Sequence, residues 1–214
     1  RVSLDANVVV AVDDPRLAQE VESFGGRWLM TSENCASGTD RLAEVADAFP
    51  ETEIFINVQA DEPEINPVTV ELVAKTLLDH PDAEIATAGT PIRHEDQLHD
   101  PACVKILVSE REGQRRAVYF SRAAIPYVRD GIDASLFNAH PPIFWHHIGL
   151  YAYRRDFLSW FASQSPSRFE QLEKLEQLRA IEAGKKIVVA LVDAATSGID
   201  TIDDFQRFKQ KFER

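Results

Sequence analysis

The chain has 214 residues, of which 44% are apolar and 27% are charged, ordinary values for a globular protein with one domain. Lys and Arg total 23 against 35 Asp and Glu, for a net charge of -12, which argues against a sequence-independent nucleic-acid binder. No segment approaches the roughly 20 apolar residues that a membrane span needs. Two cysteines, Cys35 and Cys103, are too few for a disulfide framework, so we expect a reducing compartment, the cytoplasm.

Short β-rich segments alternate with helical periods along the chain, which is typical of a mostly parallel sheet covered by helices. Strands are predicted at 7–12, 27–30, 53–58, 84–92, 104–109, 115–121, 147–153 and 186–192. Helices are predicted at 15–24, 37–49, 155–163, 169–183 and 201–212, with a further helix after the capping residue Asn66. The almost unbroken apolar run at 7–12 is typical of a strand that is buried on both faces. The last helix is expected to turn Ile202, Phe205, Phe208 and Phe212 inward.

The middle of the chain departs from this alternation. The predicted strands at 104–109 and 115–121 flank the turn-like Glu112-Gly113-Gln114, which indicates a β-hairpin. A polar, proline-containing segment at 124–142 is long enough to be a functional loop. We therefore predict one α/β domain over 1–214, with a Rossmann-like, mostly parallel sheet flanked by helices and an inserted antiparallel β element.

Polar side chains follow the predicted strand at 53–58, in the segment NVQADEP at 57–63. Ligands of open α/β sheets bind beyond the carboxyl ends of the strands, where these amides and carboxylates are expected to lie. Asp61 is a candidate ligand of Mg²⁺, which prefers one or two carboxylates together with substrate phosphates. A simple turn explains the same residues equally well, since Asp-Glu-Pro is common in turns.

Two helix starts carry weaker candidates. Asp200 precedes Thr201, and Thr201 with Asp204 is typical of a helix cap, which on these residues alone is favoured over a metal site. The segment SGTDR at 37–41 also reads as a capping box before an apolar run. A helix N-terminus with a glycine and Arg41 in its first turn nevertheless suits an anionic ligand.

Two candidates belong to later strands. His146 and His147 are adjacent, so a strand directs them to opposite faces and they are not expected to bind one metal together. One of them is expected to face a pocket while the other is exposed. Arg122 ends a strand of the predicted hairpin, where a surface charge is the simpler interpretation.

The predicted helix at 169–183 carries several acids beside its apolar arc. Its period places Glu173 and Gln177 one turn apart on one side, and Glu176 at the edge of the arc. A charged helix face is usually just solvated, but an acid that borders an apolar arc is also a candidate for a functional site.

Together these segments are far more specific than any one of them. They occur in the order SGTDRLAEV (37–45), NVQADEPEI (57–65), DPACVKILV (100–108), YFSRAAIPYVRD (119–130), HHIGLYAYR (146–154), LEKLEQLRAIEAGKKI (172–187) and GIDTIDDF (198–205). The chain resembles the 3-deoxy-manno-octulosonate (Kdo) cytidylyltransferase family over essentially its whole length. The resemblance implies a nucleotidyltransferase that joins CMP from CTP to Kdo, with release of pyrophosphate, for lipopolysaccharide biosynthesis.

The resemblance also implies which side chains act. The two aspartates that hold Mg²⁺ in the family, and are thereby catalytic, fall on Asp61 and Asp200. Sugar-binding residues fall on Gln59, Arg122, His147, Tyr151, Glu173 and Gln177, and Arg41 lies on the nucleotide side. His147 and Tyr151 lie four residues apart, so an extended strand places both on the same face.

Three departures from the family pattern qualify these expectations. Ala60 stands where a glycine is usual. Cys35 stands where His is usual, a feature shared with sister enzymes that activate the 8-amino analogue of Kdo. No segment matches the family's first strand and its cationic triphosphate loop, since the chain opens at Arg1 and its one methionine is Met30. We therefore expect a fragment that is inactive or poorly folded alone.

Two alternative functions follow from these departures, and the oligomeric state is a separate question. The first is a cytidylyltransferase for the 8-amino sugar or another acid sugar such as sialic acid, although Kdo is favoured. The second is a non-catalytic nucleotide-binding or sugar-binding domain. The resemblance also implies a homodimer, because the family commonly forms homodimers. The apolar segment 143–145 is a candidate for the dimer contact, and a lid or local packing explains it equally well.

Overall fold

The strands of the protein fall close to their predicted positions. The structure is a computed structural model that describes residues 7–193, 198–199 and 201–212. Its strands are β1 (Val10–Val12), β2 (Trp28–Met30), β3 (Ile54–Asn57), β4 (Ile85–Pro91), β5 (Lys105–Arg111), β6 (Gln114–Ser121), β7 (Trp145–Arg154) and β8 (Ile187–Leu191). Every predicted strand is therefore confirmed, with ends that shift by at most three residues.

The caps predicted at Ser37 and Asn66 are confirmed, each at the start of its helix. The helices are α1 (Pro15–Ser23), α2 (Gly38–Ala48), α3 (Pro67–Leu78), α4 (Glu95–His99), α5 (Ala134–Phe137), α6 (Arg155–Ala162), α7 (Arg168–Glu173), α8 (Gln177–Glu182) and α9 (Ile202–Phe212). Asp14, Ser37 and Asn66 each accept a hydrogen bond from a backbone N–H in the first turn of α1, α2 and α3, as good N-caps do. Over the described ranges, no helix is both long and apolar enough to cross a membrane.

One predicted helix is wrong. The segment 169–183 does not form a single helix, because Lys174 adopts the left-handed conformation, with φ of 54°, and ends α7. The chain re-enters a helix only at α8. Glu173 and Gln177 consequently lie in different helices instead of one turn apart on the same face.

The main sheet is mixed. It has six strands in the order β3-β7-β4-β8-β6-β5, and β1 and β2 form a separate parallel pair. β4 and β8 are parallel, whereas β7 and β6 run antiparallel to their neighbours. Four strands therefore point the same way, as a doubly wound α/β fold requires. The predicted antiparallel insertion is the β5–β6 hairpin.

Helices cover both faces of this sheet. On one face, Ile148, Leu150 and Ala152 of β7 pack with Val73 and Leu77 of α3. On the other face, a larger cluster joins β7 to residues of α2, α6 and α8, among them Ala46, Phe157 and Leu178. Each strand of the sheet centre is thus buried on both sides, which explains the long apolar runs in the sequence.

Burial corrects three further expectations. Val8 and Val10 are 74% and 37% exposed, because β1 pairs with β2 alone among the described strands. Ile202 and Phe205 of α9 are mostly exposed rather than inward. The segment 143–145 packs locally, since its Phe and Trp are 1% and 3% exposed.

Candidate active site

A cavity of about 710 Å³ opens beside the carboxyl end of β3, a size typical of small-molecule sites. Five of the predicted site residues line it: Gln59, Asp61, His147, Tyr151 and Gln177. The cavity is rich in acids, with Asp61, Glu62, Asp100, Glu176 and Asp204 in its wall. Lys174 is the cation among the described lining residues, so the wall carries a net negative charge.

Strand β7 supplies the floor of the cavity through alternate residues from 147 to 153, and His146 lines the cavity as well. His147, Gly149, Tyr151 and Tyr153 face the cavity, while the residues between them pack against α3. The pairing of β7 with β4 slips at this point: Ala88 is opposite Ile148, but Thr87 is opposite Tyr151. The bulge keeps the alternation intact, and it brings the rings of His147 and Tyr151 to 5.3 Å.

His147 is held neutral by its surroundings. It is 8% exposed, its ring meets the edge of Phe120 at 5.0 Å, and its Nε2 lies 3.1 Å from the hydroxyl of Thr87. Burial, with a smaller effect of the neighbouring His146, lowers the pKa of His147 to about 3. Both adjacent histidines line the cavity, so the expectation that one of them is simply exposed is wrong.

This buried histidine predicts an acid-sensitive fold. The unfolded chain takes up a proton at His147 near pH 6.5 and the folded chain only near pH 3, so stability is full above pH 6.5 and falls as the pH decreases. Between pH 7 and pH 4.5 the contribution lost is about 2–3 kcal/mol. Urea unfolding of the wild type and of His147→Gln at both pH values measures it. The variant is expected to lose correspondingly less stability on acidification, while His99→Gln on the surface behaves as wild type; equal losses in all three proteins would contradict the assignment.

Glu176, singled out in the sequence only as an acid at the edge of an apolar arc, lines this cavity. Its carboxylate accepts hydrogen bonds from the hydroxyl and the backbone N–H of Thr39, at 2.8 and 3.3 Å. Thr39 is buried and lies in the first turn of α2. The contact joins the residue that precedes α8 to the first turn of α2, and the two residues are 137 positions apart in the chain. The only sequence signal for it was an acid at the edge of an apolar arc.

Glu173 and Arg122 lie together and are absent from the described lining of the cavity. The Glu173 carboxylate accepts from the hydroxyl of Ser121 and from the backbone N–H of Arg122, both at 2.7 Å. The Arg122 guanidinium donates to the carbonyl oxygens of Glu173 and Pro101, at 2.8 and 3.0 Å. Since the residues on either side of Pro101 line the cavity, Arg122 sits at its rim and buttresses that wall.

Arg41 also lies outside the described lining. Its guanidinium donates to the carboxylate of Asp13 and to the hydroxyl of Thr31, at 2.7 and 2.6 Å. These bonds fasten the first turn of α2 to the β1–β2 pair. Cys35 is nearby, and its thiol donates to the carboxylate of Glu44 at 3.3 Å instead of facing the cavity.

The segment that precedes α9 meets Asp61 directly. The backbone N–H of Ile199 donates to the carbonyl oxygen of Asp61 at 2.7 Å, and Gly198 lies against Glu62. Asp200 itself, the second predicted metal ligand, lies outside the described residues. Among the residues that are described, no three His, Cys, Asp or Glu side chains are grouped to hold a metal ion.

Known proteins resemble this chain over most of its length. A relative from Rhodopirellula baltica, named 3-deoxy-manno-octulosonate cytidylyltransferase, is 57% identical over 211 residues, which cover 99% of this chain and 83% of the relative. A solved structure of CMP:2-keto-3-deoxy-manno-octonic acid synthetase in complex with CTP is 39% identical with a TM-score of 0.87, over 100% of this chain and 83% of the other.

A more distant structure shares the fold alone. Apo UDP-glucose pyrophosphorylase is 11% identical with a TM-score of 0.57, over 95% of this chain and 81% of that one. The fold is thus that of the nucleotide-diphospho-sugar transferases, as predicted. The sequence model of the cytidylyltransferase family matches residues 2–187. With this match and the identities above, the chain belongs to the cytidylyltransferase family and is a nucleotidyltransferase.

Proposed function

We propose that this protein transfers CMP from CTP to the anomeric hydroxyl of Kdo, releasing pyrophosphate and giving the activated sugar for lipopolysaccharide biosynthesis. The observation that carries the proposal is the polar cavity beside β3, in which Gln59, His147, Tyr151 and Gln177 converge. These amide, imidazole and phenol groups hydrogen-bond hydroxyls, as recognition of a polyhydroxylated acid sugar requires. The names of the similar proteins, quoted above, support the same substrates.

The acid sugar also needs a partner for its carboxylate. Arg122 is proposed for this role, because a guanidinium meets a carboxylate in a forked geometry. Its position at the rim, on the carbonyl of Pro101, leaves donors of the fork for a ligand. Glu173 is proposed to hold the backbone of Arg122 in place, which refines its expected role as a direct sugar contact. Arg41 is proposed to lie on the nucleotide side.

The charge of the cavity supports a requirement for a divalent cation. Both substrates are anionic, and the described wall carries five acids against one lysine, so like charges would repel the substrates. Hard carboxylate oxygens suit Mg²⁺, and we propose Asp61 and Asp200 as its protein ligands. The bond from Ile199 N–H to Asp61 supports this, because it places the residue before Asp200 beside Asp61. When bound, Mg²⁺ supplies neutralisation of phosphate charge and a lower pKa for a nearby hydroxyl.

The reaction forms one bond and breaks another at a single phosphorus. The anomeric oxygen of the sugar bonds to the α-phosphorus of CTP and gives up its proton, while the bond from that phosphorus to the bridging oxygen breaks and pyrophosphate leaves. The residues of this chain contribute by orienting the sugar hydroxyl toward the phosphorus. Positioning of this kind accounts for much of the rate of phosphoryl-type transfers.

We also propose a cytoplasmic homodimer. Cysteine usage favours a reducing compartment. Phe169 and Leu172 lie three positions apart on α7 and are 43% and 69% exposed, an apolar surface that a second copy would cover.

The function is tested with the purified protein. Pyrophosphate release is measured with CTP and Mg²⁺ in the presence of Kdo, its 8-amino analogue or sialic acid. We expect turnover that requires CTP, and a kcat/KM for Kdo at least about tenfold above that for the other sugars, the scale of one hydrogen bond or charge contact. Faster turnover of the amino sugar would contradict the assignment of Kdo as the substrate. CTP binding without turnover of any of the three sugars would contradict the proposed transferase activity.

A further inference from the structure

Thr87 is a buried polar residue that lies outside the cavity lining. It is 0% exposed and belongs to β4 at the point where the pairing with β7 slips. Its hydroxyl oxygen lies 2.9 Å from the carbonyl oxygen of Leu150 and 3.2 Å from that of Ile148. A bulge leaves such backbone groups without regular ladder partners, so the hydroxyl anchors the irregular part of β7.

The same oxygen is 3.1 Å from Nε2 of His147. The number of protons on the hydroxyl therefore decides which of these two atoms is the donor. A threonine hydroxyl has one proton, and carbonyl oxygens only accept. If the proton pointed to Nε2, the hydroxyl oxygen would turn lone pairs toward two carbonyl oxygens within 3.2 Å. The favourable arrangement has the hydroxyl donating to a carbonyl, Leu150 being the nearer, and Nε2–H donating to the hydroxyl.

We infer that Thr87 is a positioning residue that fixes His147 in its Nε2–H tautomer and thereby leaves Nδ1 as a hydrogen-bond acceptor for a hydroxyl of the sugar. The inference deepens the proposed function and rests on it. Among the described residues, no hydrogen-bond partner is found at Nδ1, and His147 lines the cavity. The rings of Phe120 and Tyr151 fix the plane of the imidazole from two sides.

The assignment has a chemical consequence for recognition. An imidazole that presents only a lone pair accepts from a hydroxyl and cannot donate to a carbonyl or an ether oxygen. His147 would therefore favour a sugar that offers a free hydroxyl at this point. An analogue with that hydroxyl methylated or removed would leave a buried acceptor unpaired, which costs more binding than the bond itself supplies.

The tautomer is measured directly by ¹⁵N NMR of imidazole-labelled protein, without substrate. We expect a protonated Nε2 and an unprotonated Nδ1 at His147 in the wild type, a loss of that preference in Thr87→Val, and its return in Thr87→Ser. Thr90→Val is the matched control, because Thr90 is another buried threonine of β4 and lies opposite His146. A protonated Nδ1 in the wild type, or an unchanged tautomer in Thr87→Val, would overturn the inference; the wild-type result needs no variant to fold.

Kinetics test the link to the sugar. Thr87→Val is expected to raise the KM for Kdo about tenfold and to leave the KM for CTP within about twofold, and Thr87→Ser to restore the KM for Kdo. Equal increases in both KM values would assign Thr87 a merely structural role. If Kdo is not a substrate at all, the tautomer result stands while this split disappears, which separates failure of the inference from failure of the proposed function.

Discussion

Asp61→Asn is expected to lower kcat by roughly 10³-fold, the scale seen when one preorganised electrostatic contact to a transition state is removed. The substitution keeps the size of the side chain and removes its charge. Under the proposed function, that charge helps to hold the divalent cation among anionic substrates. Steady-state pyrophosphate release at saturating CTP and Kdo, repeated over a range of Mg²⁺ concentrations, measures the effect. Asp200→Asn is expected to behave in the same way.

The control for this prediction is a carboxylate three residues away. Glu64 forms an ion pair with Lys211 at 2.6 Å and is absent from the described lining of the cavity. Since partly exposed ion pairs contribute about 1 kcal/mol or less, Glu64→Gln is expected to retain kcat within about twofold. Near-native turnover of Asp61→Asn, or an equal loss in Glu64→Gln, would refute the role of Asp61.

Arg179→Met is expected to lower the free energy of unfolding by about 3–5 kcal/mol. Arg179 and Glu170 form a doubly hydrogen-bonded ion pair, at 2.5 and 2.8 Å, with side chains that are 5% and 9% exposed. Removing the arginine leaves a buried carboxylate without its counter-charge. The guanidinium also lies 3.8 Å from the ring centroid of Phe161. Urea denaturation followed by circular dichroism measures the loss.

A second substitution separates the unpaired charge from the loss of packing. In Glu170→Gln the amide can still accept the backbone N–H of Ser167 that completes the cap of α7, and it carries no charge. Arg179→Met in that background is therefore expected to cost less than half of what it costs alone. Arg16→Met, at an exposed pair with Asp14, is expected to change the free energy of unfolding far less than Arg179→Met does, because solvent screens an exposed pair. If Arg179→Met lowers the free energy of unfolding equally in the wild type and in Glu170→Gln, the unpaired buried charge is not the cause of the loss.

The sheet was the part of the fold most open to prediction from sequence. Buried strands need apolar runs, often β-branched, and apolar segments mark each of the predicted strands. Two helix starts were equally readable, because Ser37 and Asn66 satisfy orphaned N–H groups within their own turn. Both signals are local, and the structure left them unchanged. The order of the strands, and the antiparallel placement of β7 between β3 and β4, depend on contacts between distant segments.

Some residues of the candidate site could likewise be predicted from the sequence, whereas others depend on contacts between distant segments. Gln59 and Asp61 follow β3, and strand geometry places His147 and Tyr151 on one face of β7. The family resemblance, which the cavity lining agrees with, assigned these four residues to one site. The break at Lys174 had no local signal: a lysine rarely adopts positive φ, and the leucine period runs straight through it. It follows instead from long-range bonds, since Glu173 binds the end of β6 and Glu176 binds Thr39.

The sequence by itself therefore determined which residues form strands and helix caps, and which polar groups stand at strand ends, because periodicity and capping are decided within a few residues. Only the tertiary structure decided how the acids of α7 and α8 are used and that Arg122 supports the cavity wall. It alone also decided that Thr87 meets His147 across a bulge. Those contacts join segments between 51 and 137 residues apart, and a buried polar group takes whichever partner the packed core brings to it.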